Sequence, residues 1–212
     1  QPVADHEAVA LAVAGQGLAA LERGLAAEIA QSILLSEFGS AYAGAEVGTF
    51  LAARYQTDDG GLAVLPYASN DLETSAMVAI VAPDSVDRSA LTAYLRGVVA
   101  SPDSTREGRM FALAGLAGLG EAVLPAIRAA AADPSLTIRE QLMIALGAVA
   151  LGDADTAQDL ASTLVDAYGE AADGQARLKV GATAADTTWA TAHMAVLAAA
   201  LAGVLVWRTV NR

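Results

Sequence analysis

The sequence predicts an all-α fold of short antiparallel helical hairpins, about ten helices in a single domain spanning residues 1–212. Ala and Leu dominate a chain that is 55% hydrophobic and 5% aromatic, which favours closely packed helices over sheets. Gly, Pro and acidic residues interrupt the apolar pattern at short intervals, as tight loops between neighbouring helices require. At 212 residues the chain is long enough to bury a substantial core.

The first helical pattern begins after Asp5 and is weakened by several glycines. A following helix is predicted from Ala41 to Tyr55, where an Asp-Gly-Gly turn at residues 59–61 stops it. Glycine adopts positive φ without a Cβ clash, and Asp hydrogen-bonds its own backbone. We therefore expect positive φ at Gly60 or Gly61.

Beyond the turn, an extended bridge leads into a helix that starts near Leu72, with Asn70 or Asp71 as its N-cap. The segment Pro83–Ser85 is expected to close that helix and to cap the next one. The apolar positions of this next helix that should be buried are Leu91, Tyr94, Leu95 and Val98.

Two later segments are related by a repeat of about 32 residues, a spacing typical of helical-hairpin repeats. The matching positions are Gly115, Leu119, Gly120 and Glu121 in the first segment and Gly147, Leu151, Gly152 and Asp153 in the second. This spacing also fits tetratricopeptide or HEAT-like solenoids. A longer loop follows from Gly169 to Ala185, and its alternating residues 176–180 indicate a small strand or hairpin.

The segment from Gln56 to Gly61 resembles the Gln-x-x-Asp-Gly-Gly turn of the α/α-toroid proteins, which include terpene cyclases, protein prenyltransferases and thioester domains. The order of the helices that follow is similar to that of the bacterial alpha-2-macroglobulins. Those helices begin near Asp71, Arg109, Glu140 and Asp186. The resemblance covers roughly Ala41 to Gly203 and implies an α/α toroid, a ring of alternating inner and outer helices.

The thioester of that family is excluded here. The bond requires the cysteine of a Cys-Gly-Glu-Gln motif, and this chain has no cysteine. The resemblance therefore implies a thioester-lacking protein-interaction or structural domain of a bacterial surface or secreted protein. Its expected partner is a protein, either a protease or other domains of the same polypeptide. Because the chain begins with Gln1 and not Met, we expect it to be part of a larger polypeptide.

Other chemistries lack their residues in this sequence. A cyclase needs an Asp-rich motif beside an aromatic cavity, and the adjacent acidic pair Asp58 and Asp59 lies in a turn. The zinc set of a prenyltransferase needs cysteine, and His6 and His193 are too few for a metal cluster. We predict no catalytic, cofactor-binding or metal-binding residue, no cofactor, no small-molecule substrate and no enzyme. The alternatives are a degenerate terpene-cyclase-like toroid enzyme and an intracellular helical-repeat scaffold.

The net charge of −12 and the single lysine, Lys179, exclude nucleic acid as a partner, because phosphate contacts need a basic face. The run from Met194 to Trp207 is nearly free of polar side chains and is followed by Arg208 and Arg212. A membrane span needs about 20 apolar residues. Because polar residues such as His193 and Asp186 precede the run, we favour a buried, domain-closing helix over a membrane anchor.

The best candidate for a contact patch consists of Tyr67, Asp71 and Glu73, at the helix start that follows the Asp-Gly-Gly turn. In a toroid this end of the helix lines one face of the ring. The competing interpretation is structural, because Asp71 and Glu73 also stabilise the positive end of the helix dipole. Trp189 and Trp207 are expected to anchor the core, and His193 to be partly buried.

Overall fold

A computed structural model describes Leu21, residues 52–172 and residues 175–210. Within them the chain is mostly helical, which confirms the all-α class. The α-helices are α1 Leu72–Val81, α2 Arg88–Ala100, α3 Arg106–Gly118, α4 Leu124–Ala131, α5 Ile138–Ala150, α6 Ala154–Tyr168 and α7 Ala184–Val210. Short 3₁₀ helices occupy Ala52–Tyr55 and Pro83–Ser85, and two strands, β1 Gly169–Ala172 and β2 Gln175–Leu178, pair antiparallel.

Seven α-helices in the described residues are fewer than the predicted total of about ten. The other predicted helices fall on residues 5–51, which lie outside the described residues apart from Leu21. His6 lies there as well. Where the helix predicted up to Tyr55 is described, at Ala52–Tyr55, it is a 3₁₀ helix and not an α-helix.

The chain divides into two compact units, Gln1–Ser75 with Asp84–Leu91, and Ala76–Pro83 with Thr92–Arg212. In the first unit the Asp-Gly-Gly turn is closed by a hydrogen bond of 2.9 Å from the Thr57 N–H to the Gly61 carbonyl. The Asp59 carboxylate accepts hydrogen bonds from the Thr57 hydroxyl and the Gly61 N–H. Gly60 has φ +91°, which confirms the predicted backbone conformation. A side chain there would also collide with the carbonyl group of Ala90.

Two carboxylates cap helices of this unit. Asp71 accepts a hydrogen bond of 2.8 Å from the Thr74 N–H at the start of α1, as predicted. The start of α2 differs from the prediction, because its cap is Asp87 and not the Pro83–Ser85 segment. The Asp87 carboxylate accepts from the N–H groups of Ser89 and Ala90, at 2.9 and 3.1 Å. The 3₁₀ turn at Pro83–Ser85 places Asp87 next to those free donors.

In the second unit α5 is the central helix. The helices α3, α4, α6 and α7 all pack against it. Every residue from Leu142 to Val149 is buried, so no face of this stretch contacts solvent. Of the residues predicted to be buried in α2, Leu91 and Leu95 are fully buried, and Tyr94 and Val98 are half-buried.

The predicted repeat is confirmed by two hairpins, α2–α3 and α4–α5. Thr105 and Thr137 are the N-caps of α3 and α5, and each hydroxyl accepts a backbone N–H three residues later. Gly120 and Gly152, which end these hairpins, both have φ +78°. Residues 32 positions apart thus have the same backbone conformation at the end of each hairpin.

The contacts between helices also repeat. A Cβ added at Gly115 would lie 2.8 Å from the Leu95 side chain, and one added at Gly147 would lie 3.0 Å from the Ile127 side chain. Both glycines let a neighbouring helix approach closely. Ion pairs join Arg96 to Glu121 in one hairpin and Arg128 to Asp153 in the other; the second pair is 2.7 Å long. All of these partners are 32 positions apart.

A third hairpin, α6–α7, follows the same plan but contains an insertion. The strands β1 and β2 stand between its helices, with Glu170 opposite Arg177. This confirms the small strand or hairpin predicted at residues 176–180. Thr183 then caps α7 by accepting the Asp186 N–H at 3.1 Å, while the Asp186 carboxylate accepts the Thr183 N–H in return. The insertion is thus confined to the connection between the two helices.

Candidate functional site

The structure places the predicted contact patch at the start of α1. Tyr67 is 85% exposed, the most exposed of the large hydrophobic residues described. The carboxylate of Asp71 is engaged as the α1 cap, as described above. Glu73 is half-buried in the first turn of the helix. Capping accounts for the position of Asp71, and Glu73 lies in the first turn of α1. The role of Tyr67, Asp71 and Glu73 in binding stays a prediction.

A larger candidate site lies in the third hairpin. It is a groove of about 410 Å³ between the end of α6, the β-hairpin and α7. Its lining is mostly carbon, from Val165 on α6, from Leu178 on β2 and from Met194 on α7. Small residues open the space between these side chains: Gly169, Ala171, Ala176, Ala195 and Ala198. The volume falls in the range of about 300–1,000 Å³ that is typical of ligand pockets.

Anchoring of the β-hairpin fixes the shape of this groove. Leu178 is 2% exposed, and its N–H donates to the Thr191 hydroxyl of α7 at 3.1 Å. The Lys179 N–H donates to the Tyr168 carbonyl at the end of α6, at 2.9 Å. Both helices therefore accept hydrogen bonds from backbone N–H groups at the end of the hairpin, so the groove depends on the insertion.

Charged side chains border one end of the groove. Glu170 accepts from Arg177 at 2.8 Å and pairs with Lys179 at 3.0 Å. These two hydrogen bonds, the one from Arg177 first, lower the pKa of Glu170 below its ordinary value. Glu170 is therefore ionised at neutral pH, and two cations share one carboxylate.

A smaller pocket of about 220 Å³ lies near the start of α5 and α7. The Arg139 guanidinium lies 4.3 Å from the centre of the Trp189 ring and forms an ion pair of 2.9 Å with Glu107. His193 stacks on the Trp189 ring, with 3.8 Å between the two ring centres. His193 is half-buried, as predicted. Trp189, predicted to anchor the core, is only half-buried because it lies at the surface between α5 and α7, where it lines this pocket. The contacts fasten α7 to α5, which is a structural function.

Within the described residues, one helical segment is long and apolar enough to cross a membrane, judged by length and composition alone. It is the part of α7 from Ala184 to Val204. In the structure Ala190, Leu197 and Leu201 form one buried line along it. Most of its other described residues are exposed or half-buried. The side chain of Trp207 lies outside the described ones.

Sequence reasoning did not find the groove. The sequence signals near the groove were the loop from Gly169 to Ala185 and the alternation at residues 176–180. They indicated a hairpin but not the surface against which that hairpin packs. Among the described residues, no group of three or more His, Cys, Asp or Glu side chains is placed to hold a metal ion.

The fold and the groove define an all-α unit of repeated helical hairpins with a β-hairpin inserted in the third. Comparison of the chain with protein-family models, with curated proteins and with solved structures found no significant match.

Proposed function

We propose that this chain is a non-catalytic protein-interaction or structural domain built from repeated helical hairpins. The observation that carries the proposal is the repetition of contacts at 32-residue spacing in α2–α3 and α4–α5. Hairpins stacked in this way bury a continuous core and leave an extended surface that is suited to binding other macromolecules. Insertions within such repeats commonly fall on the binding face.

The surrounding polypeptide that best fits the Asp-Gly-Gly turn is a thioester-lacking, alpha-2-macroglobulin-like protein at the bacterial surface or outside the cell. The closed α/α toroid belongs to this proposal. The repeat itself favours the second candidate, an open helical-repeat scaffold inside the cell. Small-angle scattering separates the two shapes, because a compact chain of this length has a radius of gyration of about 17 Å and an open superhelix has a larger one.

The charge of the surface indicates the kind of protein partner. The exposed side of α6 carries Asp155, Asp159 and Asp166, and the helix has no Lys or Arg. A basic protein would therefore associate faster and more tightly at low salt than at high salt. Without a cysteine, the domain cannot form the internal thioester between a cysteine and a glutamine side chain, so it cannot attach to a partner covalently by that route.

Affinity capture with the immobilised domain, using surface and secreted proteins of its source organism, tests the proposal. We expect a protein partner that is released by salt, leaves no conjugate on denaturing gels and binds equally well with EDTA. Changing the three α6 acids to Asn should weaken capture, and Asp103→Asn on another surface should not. An SDS-resistant conjugate, or activity that EDTA abolishes and a divalent metal restores, would support the enzyme alternative instead.

A further inference from the structure

The Asp-Gly-Gly turn contains a peptide bond of the kind that rearranges most readily in proteins, Asp59–Gly60. In this reaction the Gly nitrogen attacks the carboxyl carbon of the Asp, water leaves, and a cyclic succinimide forms; the absence of a Gly side chain leaves the nitrogen unhindered. Water then opens the ring at either carbonyl. The products are Asp and isoaspartate, an isomer in which the Asp Cβ belongs to the backbone. Asp59 is exposed, so water reaches this bond.

Hydrogen bonds hold both reacting groups of this bond. The Gly60 N–H donates to the Thr57 carbonyl at 2.8 Å, and the nitrogen must lose this proton to attack. The Asp59 Oδ1 atom lies 2.6 Å from the Thr57 hydroxyl and accepts the Gly61 N–H at 3.1 Å. That hydroxyl also lies 3.0 Å from the Gly61 carbonyl and donates to the nearer, charged oxygen. The Asn70 amide holds Oδ2. The carboxylate must therefore leave donors on both oxygens before its carbon meets the Gly60 nitrogen.

The rest of this unit depends on the unmodified turn. The Gly60 carbonyl accepts from the Gln56 side chain at 3.0 Å. The same side-chain amide bonds the N–H and the carbonyl of Asp87, at 2.9 and 3.0 Å, and Asp87 caps α2. Gly60 also lies so close to α2 that an added Cβ would be 2.3 Å from the Ala90 carbonyl oxygen. A backbone lengthened at Asp59 therefore does not fit the closed turn, and its formation loosens the start of α2.

We infer that the Asp59–Gly60 bond is a site of spontaneous isoaspartate formation that the closed turn holds inert. The Thr57 hydroxyl and the Asn70 amide are the positioning groups, because they fix the carboxylate away from the attacking nitrogen. The modification needs only water and is confined to molecules in which the turn has opened. The amount of isoaspartate at this bond therefore measures how often the turn opens.

The experiment incubates the full chain at neutral pH and physiological temperature and follows isoaspartate at this bond by peptide mapping with electron-transfer mass spectrometry. A synthetic peptide of residues 54–64 is the unstructured reference. We expect the peptide to react at least about tenfold faster, because the reaction in the folded chain waits for local opening. Thr57→Val and Asn70→Ala should each accelerate the folded chain roughly threefold or more, since each removes one hydrogen bond to the carboxylate. Thr57→Ser keeps the hydroxyl and should react at the rate of the unchanged chain.

Thr163→Val is the matched control, because it removes an exposed hydroxyl from α6 and should leave the rate unchanged. Circular dichroism and thermal melts establish that each variant is folded. If Thr57→Val does not fold, the comparison of the unchanged chain with the peptide still decides. Equal rates in the chain and the peptide would overturn the inference, and so would folded Thr57→Val and Asn70→Ala variants without acceleration. In the isomerised fraction, hydrogen exchange at the Ala90 N–H should be faster, and unaltered exchange would refute the link to α2.

Discussion

The hairpins α4–α5 and α6–α7 share a plan but differ in the surface that they form. In α4–α5 the connection between the helices is a short Pro-containing turn, and Thr137 caps the second helix. In α6–α7 the corresponding Thr183 cap comes after an inserted β-hairpin. The repeated contacts hold both hairpins in place, whereas the groove exists only where the insertion packs on α7. The repeated helix contacts and the groove thus lie in different parts of the same repeat.

The largest effect on stability is expected at Gly118, a position at which the hairpins α2–α3 and α4–α5 differ. A Cβ at Gly118 would lie 2.5 Å from the Ala79 carbonyl oxygen and 2.6 Å from the Ile80 Cα of α1. The matching position in the second hairpin is Ala150, 32 residues later. Because the obstacle is backbone, Gly118→Ala should destabilise the fold by about 2–3 kcal/mol, measured by urea denaturation.

Gly97→Ala is the matched control. Gly97 lies within α2, and apart from its chain neighbours and the backbone of its own helix, no atom would lie within 4 Å of a Cβ added there. The same substitution should therefore stabilise the protein by about 1 kcal/mol through helix propensity. Equal effects of the two changes would show that α1 and α3 do not approach as described.

The next largest difference in stability is expected between the acidic residues of the two repeated ion pairs. Asp153 is 8% exposed and accepts hydrogen bonds from Arg128 and from the Thr156 hydroxyl, at 2.7 and 2.8 Å. Asp153→Ala should cost about 2 kcal/mol, because it removes two bonds to a charged and mostly buried group. Glu121 is more exposed, so Glu121→Ala should lower the free energy of unfolding by less than about 1 kcal/mol. Chemical denaturation of both variants measures the difference.

The stability due to Asp153 should depend on pH in a defined direction. The hydrogen bond from Arg128 lowers the pKa of Asp153 below its ordinary value of 3.8. Its contribution is therefore fully present above the unfolded-state pKa and is lost as the pH falls through the lower folded-state pKa. The stability gap between the unchanged protein and Asp153→Ala should narrow as the pH is lowered through this range. A gap that stays constant would contradict the assignment.

The turns that follow α3 and α5 should lose equal stability when their glycine is replaced by Ala. Gly120 and Gly152 both have φ +78°, and beyond the adjacent residues of the chain no atom lies within 4 Å of a Cβ added at either. Only the backbone conformation then opposes a side chain, so Gly120→Ala and Gly152→Ala should each cost about 1 kcal/mol in thermal melts. A clear difference between them would show that the hairpins are less alike than their dihedral angles indicate.

The smallest effect on stability is expected at the border of the groove. Glu170→Gln should leave the melting temperature almost unchanged, because Glu170, Arg177 and Lys179 form an exposed ion-pair cluster. Glu107→Gln, which changes an ion pair of similar exposure outside the groove, is the control and should also leave the melting temperature almost unchanged. A large loss of stability in Glu170→Gln alone would contradict this expectation.

Local chemistry explains which features could be predicted. The positive φ at Gly60, the cap by Asp71 and the 32-residue hairpin repeat all depend on residues close in sequence. The cap of α2 was misassigned because Ser85 and Asp87 are both suitable residue types. The 3₁₀ turn at Pro83–Ser85, which sequence periodicity does not reveal, decides between them.

The sequence by itself determined the helical class, the punctuation of the hairpins and the place of the insertion, since backbone preferences of Gly, Asp and Thr act over a few residues. Tertiary structure decided which line of α7 is buried, at Ala190, Leu197 and Leu201, and which side is left open. It also decided that Leu178 anchors the β-hairpin to α7. These outcomes depend on contacts between segments that local preferences do not specify, because an apolar helix such as α7 offers several similar faces for packing.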